Sequence, residues 1–300
     1  MRPAVFGEVL FDCFEDAEVM GGAPFNVAWH LAGFGLNPLM LSAVGEDERG
    51  EQLLQAMQDW GMDTSGMQRS SYPTGQVRVD IVDGEPSYDI VTDQAYDHLQ
   101  PQPIQKALAV ADFGLLYHGS LAARSDSNRR LLADITAEKT ASTFVDVNLR
   151  PPWWEFSQVR GMVNRARWLK LNLDEFVTLY FGDAPPADLA DSLLLEDMAR
   201  DIVNNSAMEL LVITLGGRGA LCASSEGCER GLPVPAESIV DTVGAGDSFS
   251  AVMIAGILRG WSMHDTLQRA LNFASAICQN KGATSSNREL YEGFIQAWGI

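Results

Sequence analysis

The chain has 300 residues, 46% of them hydrophobic and 20% charged, with a formal net charge of −19. That hydrophobic content suffices for one large core or two small ones. The acidity, without any Lys/Arg cluster, argues against DNA, RNA and anionic membranes, and leaves a phosphate site to backbone groups and a few local cations.

From the N-terminus, residues 4–11 predict a strand, 24–34 a helix, 38–45 a strand and 48–60 a helix. The next segment breaks this rhythm. Residues 74–91 alternate with period two through Val77, Val79, Ile81, Tyr88 and Ile90, with Asp83-Gly84 as the turn signal. They predict a hairpin, either a sheet edge or a small sheet projecting over a cleft. Strands are then expected at 113–119, 142–148, 167–172, 210–216 and 219–224. Helices are expected at 126–139, 187–204, 246–259, 265–279 and 288–297. Alternating strands and helices predict an α/β fold, a parallel sheet covered on both faces, with the site at the carboxyl ends of the strands.

The cysteines at 13, 222, 228 and 278 form no CxxC pair and fit no zinc pattern, so free thiols are expected. No charged-then-apolar leader and no apolar run near 18 residues is visible, so the expected location is the cytoplasm. His30, His98, His118 and His264 have no metal spacing, and the seven tryptophans read as packing, with Trp153 and Trp154 beside Arg150 as candidates for a site border.

The sharpest chemical signal is Gly244-Ala245-Gly246-Asp247 ahead of an apolar helix. Glycines let backbone N–H groups turn inward, and at a helix N-terminus this makes an anion cradle. A dinucleotide fingerprint would need a third glycine where Phe249 stands, and no Gly-Lys-Ser/Thr run exists for a P-loop. A carboxylate beside a phosphate cradle can accept the proton of an attacking hydroxyl. An acid at a helix start is equally common as a cap, so both readings of Asp247 stand. Gly21-Gly22-Ala23-Pro24 opens another helix, with Asn26 in its first turn, and Asp12 follows the first strand. Each is either a ligand of a polar substrate or a turn residue.

At these residues the chain resembles the ribokinase-like sugar kinases, the PfkB family. The resemblance rests on Gly21-Gly22-Ala23 with Asn26, Gly45-x-Asp47-x-x-Gly50, Asn172-x-x-Glu175, Thr214-x-Gly216 and Asp241-Thr242-Val243-Gly244-Ala245-Gly246-Asp247, in that order. It spans about residue 4 to residue 290. FGEVLFD (6–12), GGAPFNVA (21–28) and DVNLRPPWW (146–154) are most similar to fructokinases. It implies a three-layer α/β/α sandwich, a single domain with a mainly parallel central sheet and a small β lid from about 13–20 and 72–97. Asp247 then resembles the catalytic base, and Gly244, Ala245 and Gly246 the anion hole. Asp12, Gly22 and Asn26 resemble sugar-binding positions, and Arg150 a cation near phosphates or sugar. Asn172 and Glu175 resemble the pair that orders Mg²⁺ and its waters. Thr214, Gly216 and Thr242 look like part of the ATP site. Asp241, Val243, Asn280, Gly282 and Ser286 match positions where some relatives bind K⁺, although NKGATSSN (280–287) lacks the proline expected there.

The resulting expectation is an ATP-dependent sugar kinase, acting on the primary 6-hydroxyl of fructose. A keto-acid such as 2-keto-3-deoxygluconate would want an additional cation, for which Arg78, Arg124 and Arg150 are candidates. A nucleoside kinase has little beyond the shared motifs in its favour, a non-catalytic sugar sensor would not need Asp247, and a dehydrogenase fails at Phe249. The alternating hairpin face is expected to join a second chain in a homodimer whose lids cap both sites. The competing arrangement packs that face on its own domain.

Overall fold

The computed structural model describes residues 2–82, 85–137, 142–182, 185–186, 188–235 and 238–300, with the side chains of 80–87 outside the description. The chain starts with β1 (Arg2–Phe6), β2 (Leu10–Cys13), β3 (Glu18–Gly21), α1 (Ala23–Gly33), β4 (Leu39–Gly45), α2 (Glu48–Trp60) and β5 (Met67–Ser70). It continues with β6 (Gly75–Val82), β7 (Glu85–Ile90), α3 (Pro101–Val110), β8 (Phe113–His118), α4 (Asp126–Ala137), β9 (Ser142–Asp146), α5 (Phe156–Val163) and β10 (Trp168–Asn172). It closes with α6 (Leu173–Tyr180), α7 (Leu193–Asn204), β11 (Leu210–Thr214), β12 (Ala220–Ser224), β13 (Gly227–Gly231), α8 (Ala245–Arg259), α9 (Met263–Ile277) and α10 (Arg288–Trp298).

Nine strands form one sheet in the order β13-β12-β11-β10-β9-β8-β1-β4-β5. Every pairing from β5 to β11 is parallel, and β12 and β13 add an antiparallel edge. Strand side chains alternate between two cores. Ala4 and Phe6 join Ile104, Leu131, Val159, Phe176 and Leu195 under α3 to α7, whereas Val5 joins Phe25, Leu53, Val252, Phe273 and Tyr291 under α1, α2 and α8 to α10. The α/β/α expectation therefore holds.

The run expected as one strand at 4–11 is two. Gly7, at φ +152, lies so close to Pro24 that an added Cβ would sit 2.3 Å from the proline ring. The chain leaves the large sheet there and enters a second sheet of order β3-β2-β6-β7. The β6–β7 hairpin pairs Val77 with Ile90 and Val79 with Tyr88. Its expected Asp83-Gly84 turn and the Ile81 side chain lie outside the described residues. Val77, Val79 and Ile90 are buried in the chain's own core, while Tyr88 is 55% exposed. The face expected to meet a second chain is thus covered largely from within.

Strands β3, β5 and β13 and helices α3, α5 and α6 have too few residues or too weak a period to be legible in advance. The helix expected from 187 begins at Leu193, because Asp188 adopts φ +56 and Leu189–Asp191 forms a 3₁₀ turn.

Candidate active site

Helix α8 opens at the carboxyl edge of the large sheet. Gly244 is its N-cap, at φ +79, and no side chain caps it. A Cβ on Gly244 would lie 2.4 Å from the Ala283 Cα, so both conformation and space require glycine. At Gly246 an added Cβ would meet the Lys170 Nζ at 3.1 Å. The second glycine thus makes room for a buried ammonium, a reason not visible in the motif.

Asp247 stands at the third helical position and is not the cap. Its Oδ2 accepts a hydrogen bond from Asn26 Nδ2 at 2.8 Å, bridging α8 and α1. Burial pushes its pKa up to about 6, with Asn26, Lys170 and Arg150 opposing and Asp146 assisting. A carboxylate with one side-chain donor and a raised proton affinity suits proton acceptance better than capping.

Asn26 is fixed by α1, whose N-cap is Gly22 at φ +105. A Cβ on Gly22 would sit 2.6 Å from the Glu8 carbonyl oxygen, and one on Gly21 would sit 2.8 Å from Asp12 Oδ2. Asp12 lies on β2 opposite Val77, facing the same side as that valine. Burial raises its pKa to about 6, moderated by the positive charge of Arg150. The Gly21-Gly22 turn thus lies between Asp12 on β2 and the α1 helix that carries Asn26 to Asp247. Arg150 is exposed, donates to the Leu149 carbonyl at 3.2 Å, and exerts its charge on Asp12, Glu8 and Asp247.

The remaining expected positions flank this centre. Asn172 caps α6 by accepting from the Glu175 N–H, and Glu175 Oε2 accepts from the Asn172 N–H, each at 2.8 Å. Glu175 Oε1 takes the Leu149 N–H at 2.8 Å. Burial raises the Glu175 pKa, and Lys170 opposes this. Thr214 ends β11 beside Asn172, and Gly216 turns the chain at φ +60. Thr242 is exposed, and its carbonyl accepts from the Ala245 N–H at 3.3 Å.

Asp241 ties its own segment to the 280s by accepting from Val243 and Gly282 N–H, both at 3.0 Å. Asn280 donates to the Ala276 carbonyl at 2.9 Å, and Ser286 is exposed. The two halves of the expected cation loop are thus adjacent. No group of three or more His, Cys, Asp or Glu residues able to hold a metal occurs among the described residues.

Two features escaped the sequence reading, and a third corrects one of its candidate cations. Glu8, in the link from β1 to β2, is buried and its Oε2 has no partner among the described residues; burial lifts its pKa to about 7. Lys170 and Asp146 form a buried ion pair beneath α8. Arg124 is paired with Asp97 at 2.6 Å, donates to the Val91 carbonyl and Tyr96 hydroxyl, and lies over Trp153. Trp153 therefore serves Arg124. The parallel register of β9 and β10 sets Lys170 against Asp146; in the sequence each is a charge inside an expected apolar strand, RWLKLN and STFVDVN respectively.

The profile of the pfkB family carbohydrate kinases matches residues 3–290, and the chain belongs to this family. A sugar kinase of Pyrococcus horikoshii, itself uncharacterised, is 30% identical over 276 residues, covering 90% of this chain and 84% of that one. The 2-dehydro-3-deoxygluconokinase of Bacillus subtilis is 28% identical, covering 93% of this chain and 87% of its own. The fold matches a fructokinase with bound ATP from Xylella fastidiosa at a TM-score of 0.84 and 20% identity, covering 100% of this chain and 99% of that one. The chain is a carbohydrate kinase of ribokinase-like fold. No described helix is long and apolar enough to cross a membrane.

Proposed function

We propose that this kinase transfers the γ-phosphoryl group of ATP to the primary 6-hydroxyl of a neutral sugar, with fructose as the first candidate. The observation that carries the chemistry is the Asn26–Asp247 bond at the mouth of the glycine cradle. Asp247 takes the proton of the sugar hydroxyl as its oxygen bonds to the γ-phosphorus and the bond to the β-phosphate oxygen breaks, releasing ADP. Asn26 holds one carboxylate oxygen in place. The amides of Gly244 and Gly246 would face the charge that develops on the phosphoryl group, while the Ala245 amide is already engaged by the Thr242 carbonyl. The second sheet serves as a lid that excludes water, with Asp12 and Val77 on its inward face.

The charges favour a neutral acceptor over a keto-acid. Arg78 pairs with the exposed Asp89 at 3.3 Å, and Arg124 is committed to Asp97. Among the described residues, Arg150 is the candidate cation of the three without a carboxylate salt bridge, and its charge acts on Asp12, Glu8 and Asp247. A substrate carboxylate would therefore enter a mostly acidic site. Mg²⁺, carried by the nucleotide, would offset phosphate charge. Glu175, with each oxygen already accepting one N–H, suits hydrogen bonding to metal-bound water. Asp241, Val243, Asn280, Gly282 and Ser286 are the proposed K⁺ positions, tested by comparing rates in K⁺ and in a bulky monovalent salt. Thr214, Gly216 and Thr242 are proposed for the nucleotide side, and the cytoplasm as the location.

A coupled ADP-release assay across fructose, other ketoses, aldoses, nucleosides and 2-keto-3-deoxygluconate tests the substrate. Highest kcat/KM on the keto-acid would replace the fructose reading. A homodimer through the lids now rests on Tyr88 and the strand edges, since Val77, Val79 and Ile90 are already covered. Sedimentation at micromolar concentration decides it, and a monomer ends that proposal.

A further inference from the structure

The interior beneath α8 holds an arrangement that the cradle motif does not explain. Lys170 Nζ donates to Asp146 Oδ1 at 3.0 Å and to Oδ2 at 2.9 Å. Lys170 is 7% exposed and Asp146 is 0% exposed, so neither charge is left to water. Ser250, from the second turn of α8, donates its hydroxyl to Asp146 Oδ2 at 2.8 Å, and the Tyr117 hydroxyl lies 3.5 Å from the same oxygen. The ammonium also lies 3.1 Å from where a Cβ on Gly246 would be, directly behind the residue preceding Asp247.

Burying an ion pair is seldom a gain in stability, because desolvation offsets the mutual attraction. A pair kept in this place calls for another reason. Among the described residues Asp146 is the hydrogen-bond acceptor of this ammonium, and the charges of Glu175 and Asp247 also act on it.

We propose that the Lys170–Asp146 pair is a positioning device for the base: it braces the first turns of α8 from behind, through Ser250 and against Gly246, with its two opposite charges balancing each other at Asp247. It rests on the reading of Asp247 as the catalytic base. The charges around Asp247 come from several elements: Glu8 from the β1–β2 link, Asp146 from β9, Arg150 from the loop after β9, and Lys170 from β10, while Asn26 from α1 supplies the neutral hydrogen bond. Tyr117 from β8 stays neutral, held far above its usual range by burial and by the nearby carboxylates. Lys170 also faces Glu175, whose oxygens are engaged by backbone amides. Lys170 opposes the upward shift of the Asp247 pKa and Asp146 adds to it, so the two members act with opposite sign.

That opposition separates the proposal from a purely structural role. The test is the pH dependence of kcat/KM on the best sugar for K170M, D146N and the double variant K170M/D146N. An opposite charge within a few ångströms moves a carboxylate by about 1–3 units. K170M should move the acid limb up by about one unit and D146N should move it down by a similar amount. The double variant should return near the wild-type limb. Limbs that stay put, or move together, overturn the proposal, since simple loss of packing lowers rate without sorting by charge.

Should one single variant fail to fold, the other is read beside G246A, whose methyl group would push the ammonium back by a few tenths of an ångström without removing a charge. An upward shift of its acid limb, smaller than that of K170M, supports the proposal, and no upward shift overturns it. D247N is run alongside. If D247N keeps kcat, the reading of Asp247 as base fails and the positioning role falls with it; if D247N loses kcat while the limbs do not separate, the positioning role alone is wrong.

Discussion

Two aspartates in this chain stand within two residues of a preceding glycine at the start of a helix, and the structure surrounds them in opposite ways. Asp47 is the true N-cap of α2. Its Oδ1 accepts from the Gly50 N–H at 2.8 Å and from the Thr74 hydroxyl at 2.6 Å, and its Oδ2 accepts from the Thr74 N–H at 2.8 Å. Burial pushes the Asp47 pKa up, but these hydrogen bonds outweigh it and the net shift is downward. Asp247 sits three residues into α8, where Gly244 occupies the cap, and its single donor is the Asn26 amide. Its pKa is raised to about 6. A carboxylate saturated with donors is held as a fixed anion, whereas one with spare lone pairs and raised proton affinity can accept a proton. Gly45-x-Asp47-x-x-Gly50 is therefore scaffold, clamping β4 to α2 and Thr74, and the cradle segment is the one proposed for the chemistry.

The largest expected effect comes from exchanging this difference. Asp247→Asn keeps the shape and removes the base, so kcat should fall roughly 10²–10⁴-fold with ATP affinity and thermal stability little changed. Steady-state kinetics with a melting curve checks both halves, and near wild-type kcat would put Asp247 back among the structural residues.

On the substrate side, Asp12→Ala and Asn26→Ala each remove a hydrogen-bonding group from the cleft. The sugar KM should rise by the equivalent of about 1–3 kcal/mol while ATP binding persists. Equal loss of ATP binding would place them at the wrong end. Asn26→Ala should also lower kcat, because Asp247 loses its one orienting donor.

Asp47→Ala should show the mirror image. Losing an N-cap costs about 0.5–2 kcal/mol, so the melting temperature should fall while kcat in the folded enzyme stays close to wild type. A large kcat loss at unchanged stability would erase the contrast between the two aspartates.

pH separates them by sign. Asp247 must be ionised to act, so kcat/KM should fall as pH drops through about 6. Asp47 has a depressed folded pKa, so its contribution to stability is present above its unfolded pKa and is lost as pH falls through the lower folded value. Glu8 behaves oppositely. Its folded pKa of about 7 lies above the ordinary glutamate value of 4.5, so the folded state holds the extra proton and wild-type stability declines between those values as pH rises. Glu8→Gln should therefore gain in melting temperature over wild type on going from pH 4.5 to pH 7, and a constant difference would mean that Glu8 titrates normally.

Much of this molecule was legible in its residues. The strand-helix alternation predicted the layered sheet, because parallel strands buried on both faces read as apolar runs. The glycine clusters at 21–22 and 244–246, with Asn26 and Asp247, marked the two helix mouths, since few other residues allow the backbone to turn and approach so closely. What stayed hidden depended on partners far away in sequence. Asn26 and Asp247 are 221 positions apart, and only packing of α1 against α8 makes them one unit. Gly246 is small because Lys170 lies behind it, and Lys170 is tolerated there because the neighbouring strand supplies Asp146. On the alternating hairpin face, Val77, Val79 and Ile90 are covered by the chain's own core while Tyr88 is exposed. Periodicity follows from local backbone geometry and so can be read along the chain. Which groups share a buried site, and hence which carboxylate is a cap and which can take a proton, depends on tertiary desolvation and contact, and only the folded chain decides it.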